Sequence, residues 1–373
     1  MFELSGMANK SLGSAKKEKN DEYYTQLTDI ENELRHYSNQ LKGKVIFCNC
    51  DDPFESNFFK YFAMNFNRLG LKKLIVTCYN PSPIAGSQLA LFDIKPSVKK
   101  GMNKNSKHSY KIEITEVKDY DGNGSTNLDD VEYLLKHGGN ALTLLNGDGD
   151  FRSEESIALL KQADVVVTNP PFSMLIEYMD QLVRYKKNFI IVGSLHSLHY
   201  KEIFELIRSN KLWLGHKPTG TDMLFDVPED YAAELVKTKK EGSSYKIIDG
   251  KVMGRAAVIW YTNFDVVKRH EILYLYKKYT PEEYPKYDNL DAIEVNQAIN
   301  IPENYHGYMG VFDSFLDKYN PDQFELIGIP TGNSGKEIGV TKNYRGRTDI
   351  SLTRNGKTSC PYSRIIIQRK RKI

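Results

Sequence analysis

The chain has 373 residues, 40% of them hydrophobic and 27% charged, with a net charge of +3 from 51 basic and 48 acidic side chains. That length can bury a sizeable core in two to three domains without disulfide or metal staples, and that composition excludes a disordered protein. The longest apolar runs are far too short for a membrane span, and the N-terminal residues hold no apolar signal core. Cys48, Cys50, Cys78 and Cys360 are too irregularly spaced for a disulfide framework or a paired zinc site, so a protein of a reducing cytoplasm is expected.

Residues 1–20, rich in Lys, Ser, Gly and Asn, have no periodicity and predict a flexible basic arm. Thr28-Asp-Ile-Glu31 matches a capping box, and Ile30, Leu34, Tyr37 and Leu41 follow at helical spacing. A buried strand is predicted over 44–50, a helix opened by Asp52-Pro-Phe-Glu55 and ended by Gly70, and a second strand over 73–78, together a βαβ unit. Residues 81–140 are polar and read as an insertion carrying one strand, 110–117. Strands at 141–145, 164–168, 188–192 and 211–214 then alternate with helices at 153–162, 173–185 and 200–209. That alternation predicts an α/β fold, a Rossmann-like, doubly wound and mostly parallel sheet. Beyond 215 it stops, and a second, irregular domain is expected with isolated elements at 256–261 and 321–327.

Thr168-Asn-Pro-Pro-Phe172 stands directly between a buried strand and a helix. Ligands of such sheets sit beyond the carboxyl ends of the strands. Two prolines restrict φ and remove two N–H donors, so Pro170 and Pro171 leave carbonyls that only accept. The Asn169 amide oxygen and the Pro170 carbonyl can both accept from one NH2 group, turning its lone pair toward an electrophile, while Phe172 offers a ring face to a base. Catalysis by positioning of this kind needs no general base.

These residues, with Asp21-Glu-Tyr-Tyr-Thr-Gln26, Asp29-Ile-Glu-Asn-Glu-Leu34, Cys48-Asn-Cys-Asp-Asp-Pro53, Ser56-Asn-Phe-Phe-Lys-Tyr-Phe62, Gly147-Asp-Gly-Asp-Phe-Arg-Ser153, Tyr284-Pro-Lys-Tyr-Asp-Asn289 and Asn320-Pro-Asp-Gln-Phe-Glu-Leu326, give the chain a resemblance to the EcoRI-type DNA adenine-N6 methyltransferases over most of its length. The resemblance implies S-adenosylmethionine as cofactor, base flipping in duplex DNA and Asn169, Pro170, Pro171 and Phe172 as the catalytic motif. It places Tyr24 and Thr25 over the cofactor's methionine part, Asn49, Asp51 and Asp52 in the cofactor loop, and Asp150 and Phe151 on the cofactor's adenine; Asn169 borders the cofactor too. No metal is implied. The missing GxGxxG argues against a nicotinamide or flavin, and the acid that the family uses for the ribose is replaced by Cys78-Tyr-Asn80. The type member methylates an adenine in GAATTC. Double-stranded DNA is the implied partner, with no membrane, a monomeric state, and a cognate restriction endonuclease linked genetically but not physically.

The domains expected are residues 21–214 for cofactor binding and transfer and residues 215–373 for DNA target recognition. Residues 341–373 carry ten Lys/Arg against Asp349 alone, which suits a polyanion. Two other readings stay open, an RNA adenine or glutamine-amide methyltransferase and a non-catalytic nucleic-acid-binding protein of the same fold. Asp121 to Glu132 mimics a calcium loop without its required glycine and reads as a hairpin turn, Gly335-Lys336 reads as a loop, and His196 and His199 lack the spacing of a metal pair.

Overall fold

The computed structural model describes residues 24–50, 56–78, 109–137, 142–227 and 229–371, so the expected arm at 1–20 and the expected cap at 52–55 lie outside the described residues. The chain divides into two compact units, Met1–Gly193 with Asp222–Trp260, and Ser194–Thr221 with Tyr261–Ile373. The boundary expected at 214/215 is one of task; by contact, residues 222–260 belong to the first unit and residues 194–221 to the second.

The first unit opens with β1 (Tyr24–Thr25) and the helix Leu27–Leu34. Because β1 keeps the chain extended up to Gln26, the Gln26 carbonyl takes the first helical hydrogen bonds, from Asp29 and Ile30. Thr28 therefore lies inside the first turn, and the expected capping box does not form. Ile30 and Leu34 are buried as their spacing predicts; Tyr37 and Leu41 are buried too, beyond a 3-10 turn at Arg35–Tyr37 that interrupts the helix.

β2 (Val45–Asn49) is buried along its whole length. The next described helix starts at Asn57 with Ser56 as its cap, the hydroxyl accepting from the Phe58 amide at 3.1 Å. It continues after a break at Asn65 to left-handed Gly70, as expected. β3 (Lys73–Thr77) pairs parallel with β2. β4 (Tyr110–Ile114) is antiparallel to β3, and β5 (Leu142–Leu144) antiparallel to β4. The polar stretch between them holds a helix, Leu128–His137, which replaces the expected hairpin turn. Asn127 opens it, accepting from the Asp129 amide at 2.6 Å while its own amide donates to Asp130 at 2.9 Å.

β6 (Val165–Thr168) pairs parallel with the other side of β2, and β7 (Asn188–Ser194) parallel with β6. In chain order β8 (Trp213–Leu214), β9 (Met223–Asp226), β10 (Tyr245–Ile248), β11 (Lys251–Ala256) and β12 (Val258–Thr262) follow. The main sheet runs β5-β4-β3-β2-β6-β7-β12-β8, parallel from β3 to β7, with the reversed β4 and the antiparallel pair β12-β8 departing from a uniformly parallel sheet. Chain order turns back at β2, which therefore marks the switch point where such folds bind ligands. A second antiparallel sheet, β1-β9-β11-β10, sets Thr25 opposite Phe225 and gives order to residues expected to be irregular.

The second unit is not irregular either. β8 pairs with Tyr261 and Thr262, and β13 (Ala292–Glu294), β14 (Tyr308–Phe312), β15 (Phe324–Gly328) and β18 (Arg364–Arg369) form a sheet in the order β13-β14-β18-β15. β16 (Leu352–Arg354) and β17 (Lys357–Ser359) make a separate hairpin. The basic end of the chain hides an inner strand, Ile365, Ile366 and Ile367 each having no exposed surface. Gly335-Lys336 lies in a short helix, Gly332–Glu337, and not in a loop. Among the described residues no helix is long and apolar enough to cross a membrane.

Candidate active site

At the switch point the carboxyl ends of β2 and β6 are joined by side chains. The Thr168 hydroxyl donates to the Asn49 carbonyl, and the Tyr178 hydroxyl donates to Asn49 Oδ1. Asn49 is buried, so its amide oxygen braces the site from within. The backbone turns left-handed at Cys50, φ 81°, just where the expected cofactor loop begins, and Asp51 and Asp52 lie outside the described residues. From Thr168 the chain passes into Asn169, half-buried, and Pro170, buried; half-buried Pro171 then leads into a 3-10 turn, Phe172–Met174, before the helix Leu175–Arg184. Pro171 keeps φ at −55° with ψ at 123°, so the turn begins only at Phe172, whose ring is half-exposed.

The loop after β5 approaches the same edge. The Ser109 hydroxyl donates to the Asp148 carbonyl, and Gly149, φ 81°, packs so tightly that a Cβ there would lie 2.0 Å from the Cys78 carbonyl oxygen. Only glycine satisfies both the left-handed backbone and that approach. The Asp150 carboxylate accepts from Arg152 at its amide (2.8 Å), Nε (2.9 Å) and Nη2 (2.6 Å), and these bonds hold its pKa below the ordinary carboxylate value. Any amine recognised by Asp150 shares it with Arg152. Phe151 is buried, its ring edge-on to Tyr178 with centroids 5.0 Å apart, and its carbonyl accepts from Gln181 at 3.0 Å. The Arg152 guanidinium lies 5.4 Å from the centroid of the same ring.

Tyr178 and Gln181 thus position the residues foreseen from sequence and were themselves missed. Their signal was present as two polar side chains, one turn apart, on the apolar stripe Leu175, Met179 and Leu182. Arg152 was quoted within its motif without a role. β1 reaches the site through Asn57, whose Nδ2 donates to the Thr25 carbonyl at 2.8 Å. The Thr25 hydroxyl is buried without a hydrogen-bond partner among the described residues, a polar atom left over for a ligand.

Asp119, Asp121 and Asp130 bring carboxylate oxygens within 4.8 Å of one another. Backbone amides already occupy them, those of Gly122 and Gly124 on Asp119 and that of Tyr120 on Asp130. His199 pairs with Asp313 at 3.3 Å, and His196 lies 3.4 Å from the Tyr362 hydroxyl.

The basic residues of the second unit separate into two kinds. Arg364 is buried, Nη2 donating to Glu294 Oε1 at 2.6 Å while Tyr287 donates to Oε2, so it does not belong to a solvent-facing basic surface. Lys342, Arg345, Arg347, Arg354 and Lys357 are exposed and form no ion pair among the described residues. Lys372 lies outside them.

The sequence profile of the family described as adenine-specific methyltransferase EcoRI matches residues 11–370. The chain is 43% identical over 369 residues, 97% of each chain, to Type II methyltransferase M.EcoRI of Escherichia coli. It is 36% identical to Type II methyltransferase M.MgeORF184P of Mycoplasma genitalium, covering 95% of this chain and 98% of that one, and 33% identical to Type II methyltransferase M.MpnI of Mycoplasma pneumoniae, covering 96% and 98%. No solved structure matches significantly.

Proposed function

The chain belongs to the EcoRI family of adenine-specific methyltransferases, and from that premise we propose that it moves a methyl group from S-adenosylmethionine to N6 of an adenine flipped out of duplex DNA, as the modification half of a restriction-modification pair in the cytoplasm. The observation that carries the mechanism is the placement of Asn169-Pro-Pro-Phe172 at the carboxyl end of β6, beside that of β2.

Bound S-adenosylmethionine supplies an electrophilic methyl on a sulfonium. Asp150 would accept from the cofactor's adenine amine and Phe151 would stack on its ring, while Tyr24 and the buried hydroxyl of Thr25 would close over its methionine part and Asn49, Asp51 and Asp52 would form the cofactor loop. Asn169 Oδ1 and the Pro170 carbonyl take the two N–H bonds of the target amine, drawing its lone pair out of conjugation, and Phe172 stacks on the flipped base. Pro171 holds the turn that keeps both acceptors on one side. Residues 215–373 supply most of the DNA recognition, the unpaired basic side chains of 342–357 meeting phosphates.

Transfer of labelled methyl from S-adenosylmethionine, assayed side by side on duplex DNA, RNA and protein, tests this reading. N6-methyladenine in DNA alone is expected. Label in RNA or in a glutamine amide would replace DNA as substrate, and no transfer at all would leave a binding protein. A duplex carrying GAATTC belongs among the probes, with the recognised site itself read by sequencing the modification.

A further inference from the structure

The exposed turn 341–349 is unusually well held for a surface loop. Asn289, buried, donates from Nδ2 to the carbonyls of both stems, Thr341 at 2.7 Å and Asp349 at 2.9 Å. Asn343, also buried, donates to the Asp349 carbonyl at 3.0 Å and accepts from the amides of Arg345 at 2.9 Å and Arg347 at 3.2 Å. Its own amide donates to the Arg347 carbonyl at 2.8 Å, closing a tip of three residues that turns at left-handed Gly346. That tip presents Tyr344, 55% exposed, with the Arg345 guanidinium 5.0 Å from its ring centroid and Arg347 beside it.

A backbone held on both sides of Tyr344, at Thr341, Asn343, Arg345, Gly346, Arg347 and Asp349, loses little further freedom on binding. Arginines without carboxylate partners suit phosphates, and a planar side chain at the tip suits the faces of bases. The carboxylate of Asp349, the one acid in residues 341–373, accepts from the Gly332 amide at 3.1 Å.

Resting on the reading of the chain as a base-flipping DNA methyltransferase, we propose that Tyr344 enters the duplex and fills the gap left by the flipped adenine, while Arg345 and Arg347 grip the phosphates on either side of it. A flipped base leaves two unstacked neighbours, and a ring inserted between them restores the stacking that flipping removes. Tyr344 is a positioning residue under this proposal, acting on the base without touching the transferred methyl.

The test uses the full-length protein and a duplex that it methylates. 2-Aminopurine in place of the target adenine reports flipping by its rise in fluorescence. Tyr344→Ala is expected to abolish that rise and lower kcat/KM by about tenfold or more, Tyr344→Phe to behave as wild type, and a mispair at the target adenine to return Tyr344→Ala to within about threefold of wild type, because a mispaired base costs less to extrude. Rescue by mispairing is the readout that a merely structural role would not give. Wild-type fluorescence and turnover in Tyr344→Ala, or a loss that mispairing leaves untouched, would overturn the proposal while the methyltransferase reading stood. A wild-type protein that methylates no duplex would overturn both.

Discussion

At the scale of single residues the proposed mechanism works through acceptors. Asn169→Ala removes one of the two acceptors offered to the target amine and touches no residue assigned to the cofactor's adenine. Methyl transfer is expected to vanish while S-adenosylmethionine binding stays within about tenfold, roughly 1.4 kcal/mol, and isothermal calorimetry beside a transfer assay checks both halves. Asp150→Ala should instead weaken cofactor binding by about 1–3 kcal/mol. The hydrogen bonds from Arg152 lower the pKa of Asp150, so the stability they add is present above the ordinary carboxylate pKa and lost as pH falls through the lowered value. The difference in unfolding midpoint between wild type and Asp150→Asn should therefore be flat near neutrality and shrink only below about pH 4. A difference that instead changed around pH 7 would assign the titration to another group.

At the scale of elements the sequence was legible wherever one apolar period ran unbroken. The strands β2, β3, β6 and β7 and the helices between them appear within a few residues of their expected places, because buried Val, Ile and Leu runs bounded by turn residues have few alternative registers. The resemblance assigns Asp150 and Phe151 to the cofactor's adenine but gives no cause for the shape of the turn at 147–150, which is steric: Gly149 lies against the Cys78 carbonyl. Gly149→Ala is expected to cost about 1–3 kcal/mol by thermal unfolding and to loosen cofactor binding through its neighbour Asp150. Retention of both would mean that the loop can shift without consequence. The helix Leu128–His137 was invisible because its stabilising contacts are polar: an Asn127 cap and two acids in the first turn. In the sheet of the second unit only β15 was legible, as the element expected at 321–327; long connections separate its strands, and β18 carries arginines at both ends, so charge obscured an inner strand.

On the scale of the whole molecule, the basic residues near the end of the chain divide into a buried set and an exposed set. Arg364→Ala leaves Glu294 buried with a charge and is expected to destabilise the protein by about 3–5 kcal/mol in urea titrations. Arg345→Ala and Arg347→Ala should leave stability nearly unchanged, each lowering the slope of log affinity against log salt by about 0.9. Equal effects on folding from all three would refute the division. Removing residues 369–372 should do some of both, since Arg369 pairs with Phe324 in the sheet and the Lys370 amide donates to the Gln323 carbonyl at 2.9 Å, whereas Arg371 is exposed. The interleaved path of the chain bears on how new specificities can be made. Joining the first 214 residues of one such protein to the remainder of another would take β9, β10, β11 and all of β12 from a foreign parent, and with them the strand against which Thr25 pairs. An exchange of the second unit that respects the architecture needs two grafts, residues 194–221 and residues 261 onward, so that the proposed recognition unit can be swapped without replacing three of the four strands of the sheet that holds Thr25.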